Sequence, residues 1–168
     1  MSVKKISRTM LIAAAVGLVG MANVNAQEHM NSFQIVSNVL ENGKSLRQGQ
    51  GLRSPNNQYA AVLQKDGNFC LYKLDPSAKY GNQFIKCTMT VGSEDKKGAI
   101  LTMQQDGNLA LYNSQNKHLW STDTYRGGIE KQGWRLIMSD DGNLALVARA
   151  DPGKNEKPIW EFQKGRLY

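Results

Sequence analysis

A short polar segment recurs three times in the chain, and its residue types are suited to hydrogen bonding of a ligand. The copies span residues 64–72, 104–112 and 139–147, and they align without gaps on the tripeptide Asp-Gly-Asn. In the first two copies a Gln precedes this tripeptide and a Tyr follows it. A carboxylate only accepts hydrogen bonds, whereas the amides of Asn and Gln and the hydroxyl of Tyr both donate and accept them. Because the hydroxyl groups of a ligand also donate and accept, such a set could bind a polyhydroxylated molecule.

Catalysis and metal binding find little support in the sequence. No Gly-x-Ser-x-Gly, His-Glu-x-x-His or phosphate-binding loop is present. The two histidines, His29 and His118, are interpreted as surface or loop residues. Asp66, Asp106 and Asp141 lie in separate repeats, which would place them too far apart to act as paired acids. We therefore predict a protein that is not an enzyme and that uses no metal and no cofactor.

The N-terminal 26 residues are typical of a secretory signal peptide of bacterial type. Lys4, Lys5 and Arg8 precede an uncharged run over 10–22, and small residues at 24 and 26 predict cleavage after Ala26. The run is shorter than the roughly 20 residues that a membrane-spanning helix needs, so we expect a secreted or periplasmic protein that does not span the membrane. The net charge of +7 falls to +4 without these three basic residues. No block of like charges or known motif indicates a nucleic-acid partner.

The chain has two cysteines, Cys70 and Cys87, which are 17 positions apart. In an oxidising compartment an even pair usually forms a disulfide. Closing a loop of this length stabilises a fold by about 3 kcal/mol in the chain-entropy model. We therefore predict a Cys70–Cys87 disulfide, with two reduced, buried cysteines as the alternative.

Each polar segment is predicted to form a strand, a turn and a second strand, because Asp-Gly between alternating apolar residues is a strong hairpin or bulge signal. In the second strand alternate side chains face opposite ways. The predicted core residues share one face: Phe69, Leu71, Leu109, Leu111, Leu144 and Leu146. The other face, with Asn68 and Tyr72 in the first copy, is predicted to be mostly polar. No stretch after residue 26 has a convincing helical period, which indicates an all-β fold.

One large aromatic residue follows each copy, namely Phe84, Trp120 and Trp160. We predict that these three are equivalent and share a central core around a pseudo-threefold axis. Three repeats are too few for a β-propeller, which needs about four or more blades, so a β-prism and a β-trefoil remain. Only the segment 132–134 matches the Gln-x-Trp pattern of ricin-type trefoils. The sequence therefore favours the β-prism, with the β-trefoil as the alternative.

Together these motifs resemble the bulb-type lectins, the monocot mannose-binding family. The site motif of that family is Gln-x-Asp-x-Asn-x-Val-x-Tyr, once per repeat, and segments 46–59 and 157–160 also resemble its sequences. The resemblance covers 33–162, with 27–32 and 163–168 as short terminal segments. It implies a type II β-prism that binds a mannose-type glycan or a cell-surface polysaccharide. In the family, Asp and Asn hold the axial 2-hydroxyl of mannose, Gln and Tyr meet the 3- and 4-hydroxyls, and Val packs on the ring carbons.

The three repeats keep this motif to different degrees. Repeat two keeps it best, with Gln104, Asp106, Asn108, Ala110 in place of Val, and Tyr112. Repeat one keeps Gln64, Asp66, Asn68 and Tyr72 but has Cys70 in place of Val, so that a disulfide there would lie on the sugar-facing side. Repeat three keeps only Asp141 and Asn143, with Ser139 and Val147 at the Gln and Tyr positions. We expect sugar binding first at repeat two and a weak or inactive site in repeat three.

Two further interpretations stay open at this point. The Asp-Gly-Asn tripeptide could persist only because its side chains stabilise a turn, which would leave a scaffold that binds protein instead of sugar. A lectin-like bacteriocin or defence protein would use the same fold to reach cell-surface glycans. The resemblance also implies that segment 159–168 could be exchanged between two protomers in a homodimer.

Overall fold

The computed structural model describes residues 33–75, 82–126, 133–148 and 157–167, and it confirms the all-β prediction. The signal peptide and the cleavage site after Ala26 lie outside these residues. The one helical element within them is a 3₁₀ turn at Thr124–Arg126, and none of their helices has the length and apolarity to cross a membrane. In chain order the strands are Gln34–Ser37 (β1), Val39–Glu41 (β2), Ser45–Arg47 (β3), Gln50–Arg53 (β4), Tyr59–Leu63 (β5), Phe69–Lys73 (β6), Gln83–Cys87 (β7), Ile100–Met103 (β8), Leu109–Tyr112 (β9), His118–Ser121 (β10), Gly133–Met138 (β11), Leu144–Ala148 (β12), Pro158–Glu161 (β13) and Gly165–Arg166 (β14).

Each repeat forms its own antiparallel sheet. Repeat one contributes β5, β6 and β7 to the first sheet, and repeat two contributes β8, β9 and β10 to the second. Repeat three contributes β11, β12 and β13 to the third sheet, where β14 continues along the edge. The Asp-Gly-Asn turn joins the first two strands in every sheet, as the sequence predicts. Three equivalent sheets give the chain its pseudo-threefold organisation.

The beginning of the domain completes all three sheets. β2 pairs with β11 in the third sheet, β3 pairs with β8 in the second, and β4 pairs with β5 in the first. β1 then adds to β4 as a parallel edge strand. Consecutive short strands thus join different sheets, and this connects the three repeats into one unit.

The core consists of one face of each sheet. The six residues predicted for it have no exposed surface, which confirms that assignment: Phe69, Leu71, Leu109, Leu111, Leu144 and Leu146. Burying a Leu or Phe side chain stabilises a fold by roughly 2 kcal/mol before strain and entropy are counted. Alternation along β6, β9 and β12 therefore fixes which residues face outward, because a slip of one residue would expose the core set.

The predicted equivalence of Phe84 with Trp120 and Trp160 is wrong. Trp120 and Trp160 each pair with the second Leu of their Leu-x-Leu strand, and their rings meet edge to face at 5.8 Å. In the first sheet Lys86 holds that position, and its Nζ lies 5.8 Å from the centre of the Phe162 ring. Phe84 instead lies beyond a one-residue bulge and is 57% exposed. The same bulge occurs in all three sheets, so Phe84 corresponds to His118 and Pro158, and the first sheet has a lysine where the other two have a tryptophan.

Candidate functional site

The three Asp-Gly-Asn turns share one geometry. In each turn the Asp Oδ1 atom accepts a hydrogen bond of 2.9–3.0 Å from the backbone N–H of the following Asn. The central Gly67, Gly107 and Gly142 have φ values of 92°, 89° and 85°, which lie in the left-handed region that favours glycine. The turn therefore forms whether or not the residues around it match the sugar-binding motif.

In repeats one and two the turn brings the predicted polar residues together. The Gln64 Nε2 atom donates a 2.9 Å hydrogen bond to the Tyr72 hydroxyl, and Gln104 donates the same bond at 2.9 Å to Tyr112. Gln lies before the turn and Tyr at the far end of the outgoing strand, so this bond holds the two side chains across the strand pair. Each repeat thus gathers its Gln, Asp, Asn and Tyr on the outer face of one sheet.

A pair of threonines positions the Asn side chain of each of these two repeats. The Thr122 hydroxyl donates to Asn108 Oδ1 at 3.1 Å, and the Thr124 hydroxyl donates to the Gly107 carbonyl at 2.7 Å. Thr88 and Thr90 make the corresponding contacts in repeat one, where the Thr90 backbone N–H also donates to the Asn side-chain oxygen. The sequence-based assignment missed these residues, although a Thr-x-Thr spacing after both repeats is the signal that could have revealed them.

The bonds within the site leave a defined set of groups available to a ligand. In repeat two, Asp106 Oδ2 and Gln104 Oε1 are acceptors, Asn108 Nδ2 is a donor, and the Tyr112 hydroxyl can donate its own proton. Within the described part of the chain the Asp106, Gln104 and Asn108 atoms named here have no hydrogen-bond partner, and the Tyr112 hydroxyl accepts from Gln104. An acceptor and a donor on neighbouring side chains match a hydroxyl, which gives one hydrogen bond and receives another.

Burial raises the pKa of Tyr72 above the ordinary value of a tyrosine. The hydrogen bond from Gln64 opposes this shift, and the nearby negative charge of Asp66 adds to it. Tyr72 therefore stays protonated at neutral pH. Its hydroxyl can accept from Gln64 and still donate to a ligand.

The predicted Cys70–Cys87 disulfide is present, and it joins directly paired residues of β6 and β7. Cys70 Sγ lies 3.2 Å from Gln64 Oε1, so the bridge packs against a predicted binding residue. Ala110, the equivalent of Cys70 in repeat two, has no exposed surface. Both residues are buried, and direct contact of Ala110 with a sugar stays a prediction.

Repeat three has the turn without the rest of the set. Asn143 Nδ2 donates to Glu161 Oε1 at 3.1 Å, and Lys164 forms a 2.7 Å ion pair with the other oxygen of Glu161. The hydrogen bond from Lys164 lowers the pKa of Glu161, partial burial opposes this shift, and the bond from Asn143 supports it. Val147 is buried and offers no polar group. The amide that would meet a ligand is therefore already bonded to a charged acceptor of the same chain.

The described residues contain no group of three or more His, Cys, Asp or Glu side chains that could hold a metal ion. The Asp side chains of the three turns each accept a backbone hydrogen bond in a separate sheet. The sites of repeats one and two each offer neutral hydrogen-bonding groups and one carboxylate, that of Asp66 or Asp106.

No family model matches the chain. It is 34% identical over 93 residues to the B-type lectin plumieribetin of Scorpaena plumieri, a match that covers 54% of this chain and 70% of the relative. Among solved structures it is similar to monomeric monocot mannose-binding lectins from Gastrodia elata, with a TM-score of 0.55, 29% identity, and coverage of 76% of this chain and 98% of theirs. It is also similar to the mannose-specific agglutinin from snowdrop (Galanthus nivalis) bulbs complexed with methyl α-D-mannoside. That match has a TM-score of 0.51 and 29% identity, and it covers 70% of this chain and 97% of the agglutinin.

These likenesses agree with the family resemblance seen in the sequence. Together with the three equivalent sheets, they confirm the β-prism and not the β-trefoil. The similar lectins also confirm that the polar face belongs to a carbohydrate-binding fold.

Proposed function

Because the chain belongs to the B-type lectin family, we propose that it binds mannose-type sugars through the polar sets of repeats one and two. Lectins bind carbohydrate without transforming it, so the Asp carboxylates serve as hydrogen-bond acceptors and not as acids. The sites that this assigns are Gln104, Asp106, Asn108 and Tyr112 in repeat two, and Gln64, Asp66, Asn68 and Tyr72 in repeat one.

One observation carries this proposal. In repeat two the unpaired Asp106 Oδ2 and Asn108 Nδ2 groups stand beside the bonded Gln104–Tyr112 pair. A sugar hydroxyl can donate to the carboxylate while it accepts from the amide, and neighbouring hydroxyls can meet Gln and Tyr. Repeat one has the same bonds, so it offers the same set a second time.

A single site of this kind is expected to bind weakly, because it is polar and lies on an open sheet face. Two sites on one chain raise the avidity for a glycan surface. We also propose a homodimer in which two protomers exchange the C-terminal segment that carries β13. That segment supports the proposal by placing Ile159, Trp160 and Phe162 in the core. Light scattering coupled to size-exclusion chromatography is expected to show a dimer, and a monomer at every concentration contradicts the exchange.

We further propose that the protein acts outside the cytoplasm, in the periplasm or the external medium. The leader sequence and the disulfide support this location. In either place the glycans of a cell surface are within its reach.

The direct test of sugar binding changes one carboxylate to an amide. Asp106→Asn keeps an oxygen that can accept the backbone bond of the turn, but it replaces the free acceptor by a donor. We expect Asp66→Asn and Asp106→Asn each to remove one binding site for methyl α-D-mannoside in isothermal titration calorimetry. The double variant is expected to bind none.

Repeat three supplies the matched control. Asp141→Asn makes the same change in a turn of the same geometry, and we expect it to leave the number of sites and the affinity unchanged. Circular dichroism and thermal melting check that all variants fold. Binding that survives in the folded double variant would place the sugar elsewhere on the surface, and absence of binding by the unchanged protein on a glycan array would favour a scaffold that has lost its sugar.

A further inference from the structure

The two intact sites differ in the ring that stands beside their Tyr. Phe84 pairs with Tyr72 across β6 and β7, and the two rings meet edge to face with centres 6.1 Å apart. His118 holds the same position beside Tyr112, with ring centres 5.7 Å apart. In both sheets a bulge in the third strand brings this residue onto the face that carries the polar set.

The surroundings of the two sites differ in the same sense. On the outer face of the first sheet the apolar Val62 pairs with Cys70, which is bonded to Cys87. The corresponding row of the second sheet carries hydroxyl groups. Ser45 and Thr102 hydrogen-bond each other at 2.9 Å, and Ser121 donates to Asp123 at 2.6 Å. The row beside the four polar side chains is therefore apolar in repeat one, where Val62 and Cys70 are buried, and carries hydroxyl groups in repeat two.

Phe84 is a large apolar residue that lies outside the core and is exposed. It is 57% exposed and lies on β7, the edge strand of the first sheet, so its ring is open to the solvent beside Tyr72. Its counterpart in repeat three is Pro158. A large aromatic ring in this place adds apolar surface directly next to a group of sugar-binding type.

We call the polar residues of repeat one site one and those of repeat two site two. From this geometry we propose that Phe84 forms a second subsite, which binds the next saccharide unit of a glycan held at site one. The apolar face of a pyranose ring, made of C–H groups, packs on the exposed aromatic ring, while the first unit is held by Gln64, Asp66 and Asn68. The inference rests on the proposed function of site one. It makes site one selective for di- and oligosaccharides, whereas site two, with His118, accepts single units about equally well.

The position of Tyr72 gives the direction of this extension. Asp66 and Asn68 lie at the turn, and Tyr72 lies at the far end of the same strand, where its hydroxyl is bonded to Gln64. Phe84 lies on the next strand, beyond Tyr72 and toward the edge of the sheet. A glycan that extends from the primary site over Tyr72 therefore passes the Phe84 ring at the edge of the sheet.

The test isolates site one by using Asp106→Asn to silence site two. Affinities for methyl α-D-mannoside and for mannobioses of the three linkages α1–2, α1–3 and α1–6 are compared by titration calorimetry. We expect at least one mannobiose to bind about fivefold more tightly than the monosaccharide, in line with the contribution of one aromatic contact. Phe84→Ala is expected to abolish this gain and leave monosaccharide affinity unchanged, whereas Phe84→Trp is expected to keep it.

The matched control is His118→Ala in an Asp66→Asn background, which leaves only site two. We expect the ratio of disaccharide to monosaccharide affinity to stay near one there, before and after the change. Because Phe84 is exposed, circular dichroism is expected to show folded variants, and Phe84→Leu repeats the test with a smaller loss of volume.

The possible failures are distinct. If the Asp106→Asn protein binds no monosaccharide, the proposed function of site one is wrong. If it binds the monosaccharide but no mannobiose more tightly, or if Phe84→Ala keeps the gain, the subsite is overturned while the function stands. A gain for p-nitrophenyl α-D-mannoside alone also overturns the saccharide subsite, because the ring would then prefer an apolar aglycone.

Discussion

Repeats two and three contain the same turn, yet only one of them leaves its amide open to a ligand. In both, an Asp carboxylate accepts from the Asn backbone N–H at about the same distance. In repeat two the Asn108 oxygen accepts from the Thr122 hydroxyl, and its NH₂ group has no hydrogen-bond partner among the described residues. In repeat three the NH₂ group of Asn143 is bonded to Glu161. Asp-Gly-Asn therefore indicates a turn, and the neighbours of the Asn determine whether its amide is available to a ligand.

The difference comes from one position on the adjacent strand. Glu161 occupies the place that Ser121 has in repeat two and Cys87 in repeat one, since all three pair with the residue two after the Asn. Its carboxylate is kept ionised by Lys164 and acts as an internal acceptor. A sugar hydroxyl would have to compete with this ion for the Asn143 amide.

The first prediction concerns substitution of the central glycine, to which the equivalent turns are expected to respond differently. A methyl group on Gly67 would lie 2.4 Å from the backbone nitrogen of Gly98, whereas on Gly142 it would meet the ring of Tyr59 at 2.6 Å. Both glycines have positive φ, but a backbone atom cannot move aside as a side chain can. We expect Gly67→Ala to lower the free energy of unfolding by about 3 kcal/mol and Gly142→Ala by roughly half as much. Urea denaturation measures both, and equal losses would show that the surroundings of the turns do not matter.

The second prediction gives repeat two the residues of repeat three. Gln104→Ser with Tyr112→Val removes a bonded pair from the site but leaves the turn intact. In an Asp66→Asn background we expect the affinity for methyl α-D-mannoside to fall about tenfold, since hydrogen bonds of this kind contribute on the order of 1 kcal/mol each. Titration calorimetry measures the change, with Ser139→Ala in repeat three as the control that leaves affinity unaltered. Unchanged affinity would mean that the turn alone binds the sugar.

The third prediction concerns the charge of Glu161, whose removal is expected to change the stability only slightly. Because the pKa of Glu161 is lower in the folded chain than in the unfolded chain, ionised Glu161 stabilises the fold above the unfolded pKa, and this contribution is lost as the pH falls through the folded pKa. Glu161→Gln keeps an oxygen for Asn143 but removes the charge. We expect its melting temperature to lie slightly below that of the unchanged protein at pH 7, and the gap to close in acid.

The exposed ion pair of Glu94 and Lys97 provides the control for that measurement. Its atoms are 3.5 Å apart and the Glu94 side chain is 74% exposed, so Glu94→Gln is expected to shift the melting temperature little at any pH. A gap for Glu161→Gln that stays constant with pH would contradict the assigned role of its charge.

The sequence was sufficient to predict the architecture, because its signals are local and repeated. Three Asp-Gly-Asn turns between alternating apolar residues predict three hairpins, and the Leu-x-Leu pattern predicts which face is buried, as Leu109 and Leu111 show. The grouping of Gln104 with Tyr112 follows from the same alternation, since both lie on the outer face of one strand pair. These features need only the period of a strand and the geometry of a turn.

Other features depended on contacts between strands that no local pattern records. That Lys86, and not Phe84, corresponds to Trp120 and Trp160 is visible only from the pairing of β7 with β6. The blocking of Asn143 depends on Glu161, 18 positions later and on another strand. Both were inaccessible to an alignment of the three motifs, because the segments after the turns differ in length.

The pairing of the first strands has a consequence for how the chain is made. Leu40 of β2 pairs with Leu136 of β11, which is synthesised 96 residues later. At translation rates of about 5–20 residues per second, that delay lasts on the order of 5–20 seconds. The partner of β2 therefore becomes available only with the last repeat, whereas β4 and β3 pair with strands of repeats one and two. We therefore expect β2 to be the last of these strands to join its sheet. The long sequence separation between β2 and β11 is expected to slow that step.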